Sequence, residues 1–229
     1  ACIVQVSTSA KSGENGKLII LHDSTINALK QLIQSLDIDC LYFNEDYTPY
    51  AKERMENILN LCKKEEIECK TFHDYYINDP GTILSGSGNV YVKFTPFYEK
   101  VILNTEFKDP SKYKISNFAK TTKKINNQIT LDSAMKKFVG RSNENIVVNG
   151  GRDLGLVQLK NAAKRLKTYN ETRDTMSEET SMLSAYIKYG CVSIREVTYA
   201  FYKKYGKHNE FIRQLVWRDF YMHILDAYP

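Results

Sequence analysis

Gln214, Trp217, Arg218 and Tyr221 stand at i, i+3, i+4 and i+7, so on a helix an amide, an indole, a guanidinium and a phenol share one face. That face is a candidate floor for a flat polar ligand. The same pattern also builds ordinary core, because aromatic side chains at helical spacing pack well against neighbouring elements. Upstream, Thr180-Ser181-Met182-Leu183-Ser184 sets hydroxyls before an apolar run. This is the composition of a helix N-cap, whose oxygen satisfies a backbone N–H that the first turn leaves free.

The elements that must hold these residues follow from local signals. Gly190 lacks a Cβ and suits the left-handed position that ends a helix begun near Ser181. Ser193 and Glu196 form an S-x-x-E capping box, which predicts a second helix running towards Tyr205 and ended by Gly206. A third helix begins around Asn209 and carries the tryptophan face to the end of the chain. The C-terminal part is predicted to be all helical.

The first half reads differently. Leu18-Ile19-Ile20-Leu21 is a short apolar run, and Ile26, Leu29, Leu32 and Ile33 after it keep a helical period. Cys40-Leu41-Tyr42-Phe43 is a second strand, a charged helix reaches about Glu65, and residues 67–72 form a third strand. Alternating strands and helices predict right-handed crossovers and a parallel sheet, an α/β domain. Residues 108–141 are rich in lysine, asparagine and threonine and read as a connector over the surface. The domain boundary belongs there.

Composition narrows the function classes. With 229 residues and 42% hydrophobic content, the chain can build one large or two modest cores. No run is apolar enough to cross a bilayer and the start carries no secretion signal, so an intracellular protein without a membrane partner is expected. Five cysteines without a C-x-x-C pair, and four scattered histidines, indicate neither a disulfide framework nor a metal site. There is no G-x-S-x-G, P-loop or G-x-G-x-x-G, and Gly150-Gly151-Arg152 lacks the preceding strand that a phosphate-cradling turn requires. A net charge of +5 supports an anionic partner only mildly.

Taken in order, several motifs resemble the photolyase/cryptochrome family, class I-like deoxyribodipyrimidine photolyases in particular. They are Leu41-Tyr42-Phe43-Asn44-Glu45-Asp46-Tyr47-Thr48-Pro49-Tyr50-Ala51, Phe72-His73-Asp74, Phe94-Thr95-Pro96-Phe97, the hydroxyl run at 180–184, and Gln214-Leu215-Val216-Trp217-Arg218-Asp219-Phe220-Tyr221. Pro96 favours an extended Thr95 and opens a helix from Phe97 to about Leu103. The resemblance implies an α/β, Rossmann-like doubly wound parallel sheet domain at residues 1–107. It implies a connector at 108–149 and the beginning of an all-α FAD-binding domain at 150–229.

It further implies a cofactor, FAD, with Tyr169, Thr180, Ser181, Met182, Leu183, Ser184 and Phe211 at flavin-contact positions. A helix N-terminus with short hydroxyl side chains suits the flavin phosphates. Arg173 matches a DNA-contact position, and Gln214, Trp217, Arg218 and Tyr221 match the surface that meets damaged bases. The partner is then damaged DNA, and the activity is blue-light-driven electron transfer from reduced FAD to a flipped-out pyrimidine dimer. No general base and no metal ligand is assigned. A folate or deazaflavin antenna is common in the α/β half of the family, and nothing in the sequence identifies one.

Gln214 stands where cyclobutane-dimer repair enzymes usually carry glutamate, and Met182 replaces a commonly basic residue. Cryptochrome-type signalling and (6-4) photolyase activity are therefore alternative readings, and a nonenzymatic nucleotide-binding module is a third. No counterpart of the family's opening strand and helix is found before Leu18, and the motifs stop short of the full flavin cup. The expectation is a fragment that binds FAD poorly by itself and associates with a missing C-terminal part. Val216, Phe220 and Ile224 are then expected to lie exposed.

Overall fold

The computed structural model describes residues 2–6, 18–36, 38–110, 124–141 and 143–229, with backbone alone for 2–6 and Thr168. The chain divides into two compact units. The first comprises the described parts of Ala1–Phe43, Lys52–Thr71 and Lys112–Asn145; the second comprises Asn44–Ala51, the described part of Phe72–Ser111, and Ile146–Pro229.

In the first unit, β2 (Ile19–Asp23) is the centre of a three-stranded sheet, flanked by β1 (Cys2–Val6) and β5 (Gln128–Ile129). Both pairings are antiparallel, with Val4 opposite Leu21 and Ile129 opposite Ile20. Helix α1 (Thr25–Ser35) starts at Ser24, whose side chain accepts from the Asn27 N–H, and buries Ala28, Leu29 and Leu32. β3 (Cys40–Asn44) and β4 (Glu68–Phe72) form a second, two-stranded sheet, joined by α2 (Pro49–Lys64). The Glu68 N–H donates to the Asp39 carbonyl and the Glu45 N–H to that of Phe72, so the two strands run parallel. Ile19, Leu21, Leu29, Leu32, Ile58 and Leu61 form the core.

The class is α/β, as the alternation of elements predicts, but the ladder differs from a single parallel sheet. Among the described residues only β3 and β4 pair in parallel, because β1 and β5 occupy the two edges of β2. Apolar periodicity specifies which face of a strand is buried and carries no information about which strand lies beside it. β1 also places a strand before Leu18, where none was read. The stretch read as a connector carries β5 and α4 (Leu131–Phe138), which is capped by Thr130 through the Ser133 N–H at 3.1 Å. The part of that connector at 111–123 lies outside the described residues.

The second unit is helical: α3 (Phe94–Asn104), α5 (Arg152–Arg165), a 3-10 turn (Leu166–Thr168), α6 (Tyr169–Thr172), α7 (Ser184–Lys188), α8 (Ile194–Tyr205) and α9 (Glu210–Ala227). Its core holds Phe97, Val101, Ala162, Val192, Phe201, Ile212 and Val216. The local signals act as expected. Ser193 and Glu196 complete a capping box, Gly206 ends α8 at φ 81°, and the Asn209 side chain caps α9 through the Ile212 N–H. Arg152 reinforces the first of these by gripping both Glu196 carboxylate oxygens, at 2.6 and 3.0 Å. That pairing is the main reason the Glu196 carboxyl lies below its ordinary range. At Gly155 a Cβ would stand 2.6 Å from Val192 Cγ2 and 3.0 Å from Tyr186 Cδ1, so only glycine lets α5 approach this closely.

The structure departs from the expected helix starts at α3 and α7, and from the expected exposure of the apolar side of α9. α3 begins at Phe94, and Thr95 is helical; the extended residue is Lys93, at φ −122° and ψ 136°. Pro96 sits in the first turn, where its missing N–H has no helical partner to lose. α7 begins at Ser184, not near Ser181, because Met182 adopts a left-handed φ of 51° that breaks helical continuity. Val216 and Phe220 are buried, at 0% and 6% exposure, and Ile224 is half-buried. The apolar side of α9 finds its partners in α3 and α8.

Candidate flavin- and DNA-facing site

All the site residues expected from sequence lie in the second unit, on or just after α6, on α9, and on the irregular approach to α7 with its first residue. Glu210, in the first turn of α9, is their junction. Its Oε1 accepts from Gln214 Nε2 at 2.8 Å and from Arg213 Nη1 at 3.3 Å, and it also pairs with Arg173 Nη1. One carboxylate therefore gathers Arg173 and Gln214, two of the residues expected to face DNA. The next residue, Phe211, is buried against Phe201 with ring centroids 3.9 Å apart, and it meets Tyr169 edge to face at 5.2 Å. Burial raises the Tyr169 phenol above its ordinary pKa, so this ring stays neutral.

Further along α9 the expected face divides. Trp217 stacks on Phe94 at 3.5 Å between centroids and 6° between planes, with Phe220 edge-on at 5.7 Å. Exposed Tyr221 lies beside the indole at 5.5 Å and 26°, so these two share a surface. Arg213 stands over both Phe94, at 5.2 Å, and Tyr98, at 5.9 Å from the ring centres. Arg218 turns to different partners. Its Nη1 donates to the Tyr75 carbonyl at 2.6 Å, and its guanidinium lies 4.6 Å from the Tyr76 ring. The structure thus pairs Trp217 with Tyr221, and commits Gln214 to Glu210 and Arg218 to Tyr75 and Tyr76.

Beneath Arg218, Asp219 is fully buried and its Oδ2 accepts from the backbone N–H groups of Ile77 and Asn78, both at 2.9 Å. Burial dominates and pushes its carboxyl up to about 7, against the opposing pull of the Asn78 N–H and Arg218. His223, one turn on, is also buried, and desolvation holds its imidazole below its ordinary pKa. Asp219 thereby ties α9 to the segment that precedes α3, while the His223 ring meets Phe97 of α3 edge-on at 4.8 Å.

The hydroxyl run is an irregular strap. Arg165 Nη2 donates to the Thr180 carbonyl at 2.9 Å and Gln158 Nε2 to that of Ser181 at 2.9 Å, while Ser181 Oγ accepts from the Leu183 N–H at 3.3 Å. Thr180 and Ser184 are exposed, Ser181 and Met182 half-buried, and Leu183 buried. Two α5 side chains therefore hold the backbone, and the Thr180 hydroxyl donates to Met182 Sδ at 3.7 Å. Sequence reasoning missed Glu210, Asp219 and Phe94 as contributors. The Phe-Thr-Pro-Phe motif contained Phe94, but its local meaning as a helix start hid a stacking partner more than a hundred positions away. Among the described residues no group of three His, Cys, Asp or Glu is disposed to hold a metal, and no helix is long and apolar enough to cross a membrane.

Comparison with known proteins converges on one family. The model described as DNA photolyase matches residues 8–113. The deoxyribodipyrimidine photo-lyase of Buchnera aphidicola subsp. Baizongia pistaciae is 28% identical, over 98% of this chain and 49% of its own length. An archaeal photolyase from Sulfolobus tokodaii, solved with two FAD molecules, superimposes with a TM-score of 0.69 at 28% identity, over 89% of this chain and 42% of that one. A Synechocystis cryptochrome shares the fold, with a TM-score of 0.72 at 19% identity, over 89% of this chain and 44% of that one. The chain spans about half the length of the curated relatives it matches. Motif order, the α/β-then-helical architecture and these likenesses all support the photolyase/cryptochrome family for this chain.

Proposed function

We propose that this chain is the part of a blue-light-driven DNA repair flavoprotein, a deoxyribodipyrimidine photolyase, in which the flavin-binding and lesion-facing surfaces meet. The observation that carries the reading is the Glu210–Phe211 junction. Glu210 gathers Arg173 and Gln214, residues expected to face DNA, while Phe211 meets Tyr169, a residue expected to touch the flavin. The two surfaces that the resemblance implies adjoin at consecutive residues.

The residues suit FAD at its phosphate end. Thr180 and Ser184 are exposed on a strap whose backbone is fixed by Arg165 and Gln158. Met182 supplies no charge there, so hydroxyl donors carry the phosphate contact. Tyr169 and Phe211 form an aromatic wall on the same unit. When bound, reduced FAD supplies the photoexcited electron that splits a pyrimidine dimer. The chain's own residues bind and orient. Arg173 anchors a DNA phosphate, and Glu210 balances its charge when no phosphate is present. Phe94 holds the Trp217 indole flat, and exposed Tyr221 widens the aromatic surface offered to an extruded base. Gln214 and Arg218 have N–H groups left over, beyond those given to Glu210 and the Tyr75 carbonyl, to donate to its polar edge.

The gene product carrying this chain, supplied with reduced FAD and illuminated in the blue, is expected to restore oligonucleotides containing cyclobutane dimers, with no repair in the dark. Photoreduction of bound flavin without repair of either cyclobutane or (6-4) lesions would instead assign a cryptochrome-type receptor.

A further inference from the structure

The parallel ladder of β3 and β4 sorts three cysteines onto two faces. With the Glu68 N–H on the Asp39 carbonyl, Cys69 lies beside Leu41 on one face, and Tyr42 lies beside Lys70 on the other, where the ammonium stands 5.8 Å from the ring centre. Leu41 and Cys69 pack onto the apolar cluster that contains Cys62 of α2. The chain leaves α2 through a tight turn in which the Ile67 N–H donates to the Cys62 carbonyl at 3.0 Å and Glu66 takes a φ of 55°. This turn folds β4 back onto the last turn of α2, so that Cys69 packs onto the cluster that holds the Cys62 thiol. Cys40 belongs to the opposite face, with its Sγ directed at the Leu41 carbonyl, so the arrangement is a pair of thiols and not a three-thiol cluster.

We propose that Cys62 and Cys69 form a reversible disulfide on exposure to hydrogen peroxide, tying the end of α2 to β4. Cys69 is half-buried and meets solvent, whereas Cys62 is 2% exposed. Burial pushes the Cys62 thiol up to about 11, which leaves Cys69 as the group that meets the oxidant first. The Cys69 thiolate attacks one peroxide oxygen; an S–O bond forms, the O–O bond breaks, and the departing hydroxide takes a proton to become water. The Cys62 sulfur then attacks the Cys69 sulfur of the sulfenic acid. The S–S bond forms, the S–O bond breaks, and the hydroxyl leaves with the Cys62 proton as a second water. Two thiols lose two electrons, and one peroxide becomes two waters.

The purified chain, treated with hydrogen peroxide, alkylated and digested with trypsin without reduction, tests this. Trypsin cuts after Lys63 and Lys64, so residues 55–63 and 65–70 remain together only through the new bond. The expected product is that linked pair, lighter by two hydrogens and released by dithiothreitol. Cys40→Ser should leave the link intact. Cys62→Ser should strand Cys69 as a sulfenic acid that dimedone labels several-fold more than in the parent chain. A link through Cys40, or Cys69 driven to sulfinic acid while Cys62 stays a free thiol, would overturn the proposal.

Discussion

Removing the Asp219 carboxylate isolates one interaction between α9 and the segment before α3. In Asp219→Ala the N–H groups of half-buried Ile77 and Asn78 lose an acceptor whose own exposure is 0%. A buried donor left unsatisfied costs about 1–3 kcal/mol, so two cost roughly 2–6 kcal/mol when the carboxyl is neutral. The loss should shrink as pH rises. Because the folded-state pKa is raised from 3.8 to about 7, the native state binds more protons than the unfolded chain between those values. The carboxyl's contribution is therefore fully present at low pH and is lost as pH climbs through that window. His223 works in the opposite sense, since its lowered pKa costs stability as pH falls below the ordinary imidazole range, but it is present in both proteins and cancels to first order. Asp219→Asn keeps one acceptor oxygen but sets an amide N–H₂ where Oδ1 has no partner, 3.9 Å from Arg218 Nη1, and should fall between the two. Urea titration followed by the chain's single tryptophan, which lies in this unit, is the assay. At pH 5.5 a loss near the middle of the range should move the Asp219→Ala midpoint by about 1–2 M. A gap between parent and Asp219→Ala that widens from pH 5.5 to pH 8 would show that Arg218 and the two N–H groups outweigh burial, and would refute the reasoning.

Gly155→Ala should destabilise by about 1–3 kcal/mol in thermal melts despite alanine's better helix propensity, because the new methyl meets Val192 and Tyr186. Gly86→Ala, with nothing within 4 Å, is the control and should be near neutral. Arg173→Ala should weaken DNA binding across sequences and reduce the slope of log affinity against log salt by about 1 in anisotropy titrations. An unchanged slope would remove Arg173 from the phosphate contacts. The chain purified alone is expected to carry little flavin, and stoichiometric flavin absorbance in the preparation would show that expectation to be wrong.

The helical part of the fold was legible because its punctuation is local. Ser193 and Glu196, Gly206 and Asn209 act within four residues of themselves, and each operates as its type predicts. The pairing of β2 was not legible, since its partners β1 and β5 lie on both sides in sequence and no local pattern names them. α4 was hidden by its composition: in LDSAMKKF only Ala134 is buried, so the stretch reads as solvated surface. The site was legible as a list of residues but not as an arrangement. Spacing on α9 put Gln214, Trp217, Arg218 and Tyr221 together, whereas Glu210, Phe94 and the Tyr75–Tyr76 pair draw three of them in separate directions. The left-handed Met182 was equally invisible, because non-glycine residues adopt that conformation only where surrounding bonds enforce it.

The packing of α3 on α9 bears on how this protein is made. Phe94 and Phe97 are shielded by Trp217, Phe220 and His223, which the ribosome adds more than a hundred residues later. Until translation delivers α9, the nascent chain must carry these rings without their final cover, and loop closure over that span comes late. The second unit should therefore consolidate only after synthesis of its last helix, and α3 is the segment that a chaperone would meet while it waits.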